Sequence, residues 1–484
     1  MFKFGTGGWR AVIGDGFNKE NIQLLAYAVK TLLTRENCQT PLVIGYDRRF
    51  LSKEAVKWFA EVFLHESQLK LWFINHSVPT PVVMYYTKAN NFDYGMMVTA
   101  SHNLAIYNGF KLFTKGGKDA DLGVTGKVEQ IAAELLAETA PLLPQIPYTP
   151  YEELLKAGRV KEFYPINDYL DSIAGQIDMA AIKKAGLRLI FDPMYGASGE
   201  ALTALLLQAR CQLEVIHHEH DTLFGGHMPS PSEERLGVMK ATMQEGHYDA
   251  GIATDGDGDR LAILDDKHRY LSANEILSLV YYYFLEYKGM QGPVVRNLAT
   301  THLLDKIAHA YGQEAIEVKV GFKWVSQAMQ QYQAILGGES SGGLALPTHI
   351  NGKDGVFAAM LMIEMAAVSG KSISCLLDEM TAKFGKYYMQ EKEFRFRQDQ
   401  VEAVKRQLAD ITELKALPDY KQQVKKIRTD DGLKITFVDD SFVLLRFSGT
   451  EPVLRVFAES QAAGETEALI KSACGLLRSE GLQI

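Results

Sequence analysis

Short apolar runs recur along this chain, and each empties into a polar or glycine-rich turn. Residues 41–46 lead into Asp47-Arg48-Arg49 and a helical pattern over 53–65. Residues 187–191 lead into Asp192-Pro193-Met194-Tyr195-Gly196-Ala197-Ser198-Gly199 and a helix from about 200, and residues 292–296 precede a helix from about 301. Such alternation predicts parallel or mixed sheets covered by helices. A second series runs 94–98, 248–253 and 332–336, ending in a serine turn, an aspartate turn and the glycine-rich stretch 337–343. Three strand-to-loop units predict three related α/β domains, although unrelated α/β chains also offer such units. Ligands in these sheets sit beyond the carboxyl ends of the strands.

The pattern changes after about residue 380. A helix over 401–408, strands at 432–437, 442–447 and 454–458, and a helix from about 464 describe a smaller α+β domain. The predicted domains are 1–147, 148–266, 267–382 and 383–484, with the proline-rich residues 141–147 as a linker. A chain of 484 residues is too long for one core.

Hydrophobic residues make up 47% and charged residues 23%, with a net charge of −8. An acidic chain lacks the basic face that nucleic-acid binding needs, so an anionic substrate must meet local Arg and Lys clusters. Cys38, Cys211, Cys375 and Cys474 form no CxxC pair, which fits reduced thiols in the cytoplasm rather than a disulfide framework or zinc site. The first eight residues contain no apolar signal core. The most apolar helix candidate, 356–368, is interrupted by Glu364 and too short for a bilayer, so it reads as a buried helix and no membrane partner is expected.

The chemistry-bearing motifs lie in the turns. Asp255, Asp257 and Asp259 alternate with glycines that let the backbone turn while the carboxylates converge on a hard cation such as magnesium. A plain acidic turn is the alternative. Ser101 sits beside His102 in Val98-Thr99-Ala100-Ser101-His102-Asn103. A loop serine often caps a turn; as a phosphoserine it is a phosphate donor and needs no activating base. The aspartate loop favours the second reading. Arg446, Ser448, Gly449 and Thr450 make a phosphate clamp or, equally, a solvated turn with a paired Arg. Glu339 and Ser341 suit vicinal sugar hydroxyls, or form an ordinary glycine-rich turn. His217, His218 and His220 have no second ligand group at helical spacing and read as a polar strand end. Gly5-Thr6-Gly7-Gly8 lacks a preceding strand and the Lys-Ser/Thr ending of a nucleotide loop.

In this order the motifs resemble the α-D-phosphohexomutase family, which includes phosphoglucomutases and phosphomannomutases, over nearly the whole chain. The matching stretches are Gly5 to Arg10, the Gly45-x-Asp47-x-Arg49 turn, Ser101-His102-Asn103 with Asn108-Gly109-Phe110-Lys111, and the aspartate loop through Arg260. Gly321-Phe322-Lys323, Glu339-x-Ser341-Gly342, and Arg446 to Pro452 complete the set. The resemblance implies four domains around a central cleft. It also implies that a phosphoserine at Ser101 gives its phosphoryl group to a hexose phosphate, and that the 1,6-bisphosphate reorients and returns the other phosphate. It implies one magnesium ion held by Asp255, Asp257, Asp259 and the Ser101 phosphate, with hexose 1,6-bisphosphate as activator and intermediate. Arg10, His102 and Lys111 would surround the reacting hydroxyl. Arg260, Gly321, Lys323, Glu339, Ser341 and the Arg446 loop would hold the sugar and its far phosphate.

Three positions depart from the family pattern: Leu104 stands where proline is common, Gly343 where histidine is common, and Ser340 at the variable position of the sugar loop. The expected activity is interconversion of hexose 1- and 6-phosphates of glucose or mannose. Phosphoglucosamine mutase and a silent sugar-phosphate-binding paralogue are alternatives. The expected partners are small hexose phosphates, and either a monomer or a homodimer fits.

Overall fold

The computed structural model describes residues 2–5, 8–139, 145–397, 399–411, 413–414, 416–448 and 452–479. The chain divides into two compact units, residues 1–276 with 341–374, and residues 277–340 with 375–484.

The first unit holds two mixed sheets. One runs in the order Trp9–Val12, Tyr107–Thr114, Tyr94–Val98, Leu42–Tyr46, Leu71–Ser77 and Val160–Phe163, with the short Lys118–Asp119 beside Tyr107–Thr114. The other runs Tyr270–Leu271, Leu261–Asp265, Ala250–Thr254, Arg188–Asp192 and Gln212–Val215. In the second unit Ala315–Val318, Val294–Asn297 and Leu336–Gly338 are parallel neighbours.

One wiring recurs in all three sheets. One strand (Leu42–Tyr46, Arg188–Asp192 or Val294–Asn297) is central, the second of the trio lies on one side and the third on the other, all parallel. In the first unit an antiparallel strand follows the third, Tyr107–Thr114 in one sheet and Leu261–Asp265 in the other. The expected set of three similar α/β domains is thus borne out. The expected smaller domain is also present, as a five-stranded antiparallel sheet ordered Tyr388–Arg395, Val453–Ser460, Phe442–Phe447, Leu433–Phe437 and Val424–Arg428.

Two details differ from the sequence reading. The third strand of the third sheet begins at Leu336 rather than 332, because the helix Phe322–Tyr332 runs on until Gln333 caps it in the left-handed conformation. The strand Val160–Phe163 pairs in parallel with Leu71–Ser77, so the first sheet takes a strand from beyond residue 147. Residues 141–144 of the proline-rich stretch lie outside the described residues.

Strands that carry chemistry are fully embedded. Tyr94–Val98 and Ala250–Thr254 are buried at all five positions, so their polar turns start where the sheet ends. The helix Lys19–Arg35 packs Ile22, Leu25, Ala26, Val29, Leu32 and Leu33 from one face, each large side chain worth about 1.5–3 kcal/mol when removed from water. Its N-cap Asn18 accepts from the Asn21 N–H. The helix Gly355–Ser369 starts at the Asp354 cap and ends at Gly370, and it is buried on every side from Gly355 to Met365. That burial explains its apolar composition. Among the described residues no single helix is long and apolar enough to cross a membrane.

Candidate active site

The turn after Tyr94–Val98 is held from within. Thr99 donates to Asp47 Oδ2 at 2.6 Å, and the Ser101 N–H donates to Thr99 Oγ1 at 2.8 Å. Ser101 has φ +54°, a strained conformation for a side chain with a Cβ. The buried Arg49 supplies the restraint. Its Nη1 donates to the carbonyls of Leu104 and Tyr107, and its Nη2 to those of Ser101 and Asn103. Asp47 lies 3.4 Å from Arg49 Nε. One guanidinium therefore sets the course of the whole serine loop.

The serine meets the aspartate turn. Ser101 Oγ donates to Asp255 Oδ2 at 3.0 Å and lies 3.3 Å from His102 Nδ1. Gly256 makes this approach possible, since a Cβ there would sit 2.8 Å from the Ser101 carbonyl. Asp255 Oδ1 accepts the N–H groups of Asp259 and Arg260, which closes the turn. Oxygens of Asp255, Asp257 and Asp259 lie within 4.8 Å of one another, all buried. Lys111 Nζ donates to Asp257 at 2.6 Å and Asp259 at 2.8 Å. Lys353 reaches Asp259 at 3.0 Å, and Thr80 donates to Asp257 at 2.6 Å. Arg260 Nε stands 3.9 Å from Asp259, and Arg10 donates to the Asn103 side chain at 2.8 Å.

Charge follows this geometry. Burial and repulsion from Asp257 and Asp259 push the Asp255 carboxyl well above its usual range. Burial opposes ionisation of Asp259 too, but Lys111, Lys353 and Arg260 outweigh it and hold the group well below that range. Burial alone would lower Lys111; the two carboxylates keep it charged and raise it. Burial, reinforced by Arg260 and Arg10, holds His102 well below the usual imidazole value, so it is neutral at pH 7.

The second unit has a polar cluster of its own. Glu339 Oε1 accepts from Asn297 Nδ2 and the Gly321 N–H, both at 3.1 Å. Lys323 lies 5.4 Å from the Trp324 ring centroid. Arg446 Nε donates to Asp431 at 2.9 Å, and the Ser448 N–H donates to the Val453 carbonyl. Ser341 belongs to the first unit and is exposed. Gly449 and Thr450 lie outside the described residues.

Family models for α/β/α domains I, II and III of phosphoglucomutase/phosphomannomutase match residues 1–138, 167–268 and 272–384, and the model for the C-terminal domain matches residues 397–474. A phosphoglucomutase/phosphomannomutase of Thermococcus kodakarensis is 32% identical over 461 residues, spanning 95% of this chain and 94% of that one. The chain belongs to the phosphoglucomutase/phosphomannomutase family. It is a phosphohexomutase, an isomerase that works by phosphoryl transfer. A phosphoglucosamine/phosphogalactosamine mutase of Sulfurisphaera tokodaii is 26% identical over 465 residues, 95% of each chain. The solved structure of a phosphoglucomutase/phosphomannomutase family protein from Burkholderia thailandensis shares the fold, with a TM-score of 0.80 at 20% identity over 99% of this chain and 97% of that one.

The buried carboxylates of this phosphohexomutase fit a divalent cation. They are three hard oxygen donors on one turn, and Asp257 Oδ1 is buried without a hydrogen-bond partner. The sequence reading left out Lys353, Thr80 and the carbonyl clamp of Arg49. Arg49 was visible as part of a motif but not in its role. Thr80 and Lys353 carried no local signal, because their partners lie 177 and 94 residues away.

Proposed function

We propose that this phosphohexomutase interconverts the 1- and 6-phosphates of glucose or mannose through a phosphoserine at Ser101 and a hexose 1,6-bisphosphate. The carrying observation is the 3.0 Å contact between Ser101 Oγ and Asp255 within the buried carboxylate cluster. That contact puts the donor oxygen against the residues suited to a magnesium ion. When bound by Asp255, Asp257 and Asp259 with a phosphate oxygen of Ser101, magnesium would neutralise charge on the moving phosphoryl group.

The chain's own residues supply the rest. The phosphoryl group leaves Ser101 Oγ for the free hydroxyl of the hexose phosphate; that hydroxyl loses its proton and the serine regains one. His102, neutral and 3.3 Å from Oγ, is placed to take part in that proton exchange. Lys111, paired to two carboxylates, serves as a counter-ion beside the transferred group. Arg10 and Arg260 add positive charge on the same side. Glu339 and Ser341 take sugar hydroxyls, and Gly321, Lys323, Arg446, Ser448, Gly449 and Thr450 hold the phosphate that is not transferred. Cys38, Cys211 and Cys474 are free thiols, in keeping with work in the reducing cytoplasm.

The relatives carry both hexose and amino-sugar names, so glucosamine 1-phosphate belongs in the test. Purified protein with magnesium and trace bisphosphate should convert glucose 1-phosphate or mannose 1-phosphate in a coupled assay. Ser101→Ala should lose nearly all turnover while keeping its fold, and labelled phosphate should map to the peptide holding Ser101. Turnover of glucosamine 1-phosphate alone would reassign the substrate; an active Ser101→Ala would overturn the phosphoserine.

A further inference from the structure

We propose that Asp431 is a positioning residue that ties Arg446 to the turn at residues 320–323, so that both parts of the far-phosphate site are assembled before any ligand arrives. This rests on the reading above, in which Arg446 and Lys323 hold the phosphate that is not transferred.

The two oxygens of one carboxylate serve two different domains. Oδ1 accepts from Arg446 Nε at 2.9 Å, on the strand Phe442–Phe447 of the C-terminal sheet. Oδ2 accepts from the backbone N–H of Val320 at 2.7 Å, in the turn that follows Ala315–Val318. Both bonds are charge-assisted, the stronger kind. Engaging Nε fixes the plane of the guanidinium, and the two Nη groups form the fork that suits a phosphate. The next residue after Val320 donates its N–H to Glu339, so the same short turn is anchored at both its amides.

The backbone around Asp431 is built for this reach. Gly432 has φ +92°, and a Cβ there would meet the Leu445 carbonyl at 2.5 Å. Only glycine lets the turn lie flat against the strand that carries Arg446. The chain on either side is pinned to the strand leading into Val320. Arg428 donates to Glu317 Oε1 at 2.8 Å, and the buried Lys434 pairs with Glu317 Oε2. Glu317 also takes Arg296 at 2.6 Å. Residues 428–434 therefore dock on residues 317–320 through three polar contacts, and Asp431 is the one that also reaches the phosphate-binding arginine.

Asp431→Asn keeps the size of the side chain but offers one carbonyl acceptor in place of a carboxylate. In the coupled assay it should raise the KM for hexose 1-phosphate about tenfold and leave kcat within about threefold. Arg446→Ala should raise KM as well, and adding Asp431→Asn to it should raise KM no further, because the positioned group is gone. Asp431→Glu keeps both acceptors and should recover part of the lost affinity. Hydrogen exchange at the Val320 amide should speed up in Asp431→Asn, a readout that does not depend on turnover. An unchanged KM for Asp431→Asn in an active enzyme, additive effects in the double variant, or unchanged protection at Val320 would each overturn the proposal. A wild-type enzyme with no mutase turnover would instead defeat the assignment of function, while exchange at Val320 would still test the assembly.

Discussion

Lys111→Met removes the ammonium that bridges two buried carboxylates while retaining most of the side-chain volume. Lys111 Nζ lies 2.6 Å from Asp257 and 2.8 Å from Asp259. At an effective dielectric near 20 each attraction is worth about 6 kcal/mol. Keeping the ammonium out of water takes back several kcal/mol. Asp257 keeps Thr80, and Asp259 keeps Lys353. Breaking a buried pair in this way costs about 3–5 kcal/mol, or roughly 5–8 °C in the unfolding of the first unit. The pH dependence follows with a definite sign. Without Lys111, burial and the charge of Asp259 raise the folded Asp257 above its unfolded pKa, so the variant loses stability as pH rises above about 4. The gap to the parent should therefore be smaller at pH 5 than at pH 8. Magnesium replaces the missing charge, so the variant should gain more melting temperature from millimolar magnesium than the parent does. Thermal unfolding at both pH values, with chelator and with magnesium, checks each part. A loss under about 1 kcal/mol that ignores pH and magnesium would refute the reasoning.

Asp257→Asn should weaken magnesium dependence of turnover and abolish most of the melting shift on magnesium addition; wild-type titration curves in this variant would remove Asp257 from the metal set. Arg49→Met strands four carbonyls of the serine loop at about 1–3 kcal/mol for each one left dry, so amide protection across 99–108 should collapse and turnover with it. Unchanged protection would show that the loop holds itself. Burial pushes the Glu459 carboxyl up to about 7, so the folded state keeps a proton that the unfolded chain releases, and stability should fall as pH rises from about 4.5 to 7. Glu459→Gln should flatten that slope in thermal melts of the second unit.

Much of this protein was legible because its signals are local. The apolar runs before Ser101 and Asp255 are true strands, each only five buried residues long and closed by a polar turn, a length that suits a strand and is too short for a buried helix. The Asp-Gly alternation encodes its own turn, and the carboxylates it carries have few uses once brought together. The apolar stretch inside 356–368 is a buried helix with an Asp cap and a glycine stop.

Other features depend on chain segments that meet only when folded. Residue 332 looked like the start of a strand, yet helical hydrogen bonding continues through it. Val160–Phe163 joins the first sheet because Leu71–Ser77 leaves an open parallel edge, and no pattern within four residues can announce that. Lys353 meets Asp259 and Asp431 meets Val320 across 94 and 111 residues. A side chain's spacing along the sequence reports which face of its own helix or strand it occupies. Which partner waits on that face is set by strand order and domain docking, and the burial that makes such pairs strong exists only once those elements have closed around them.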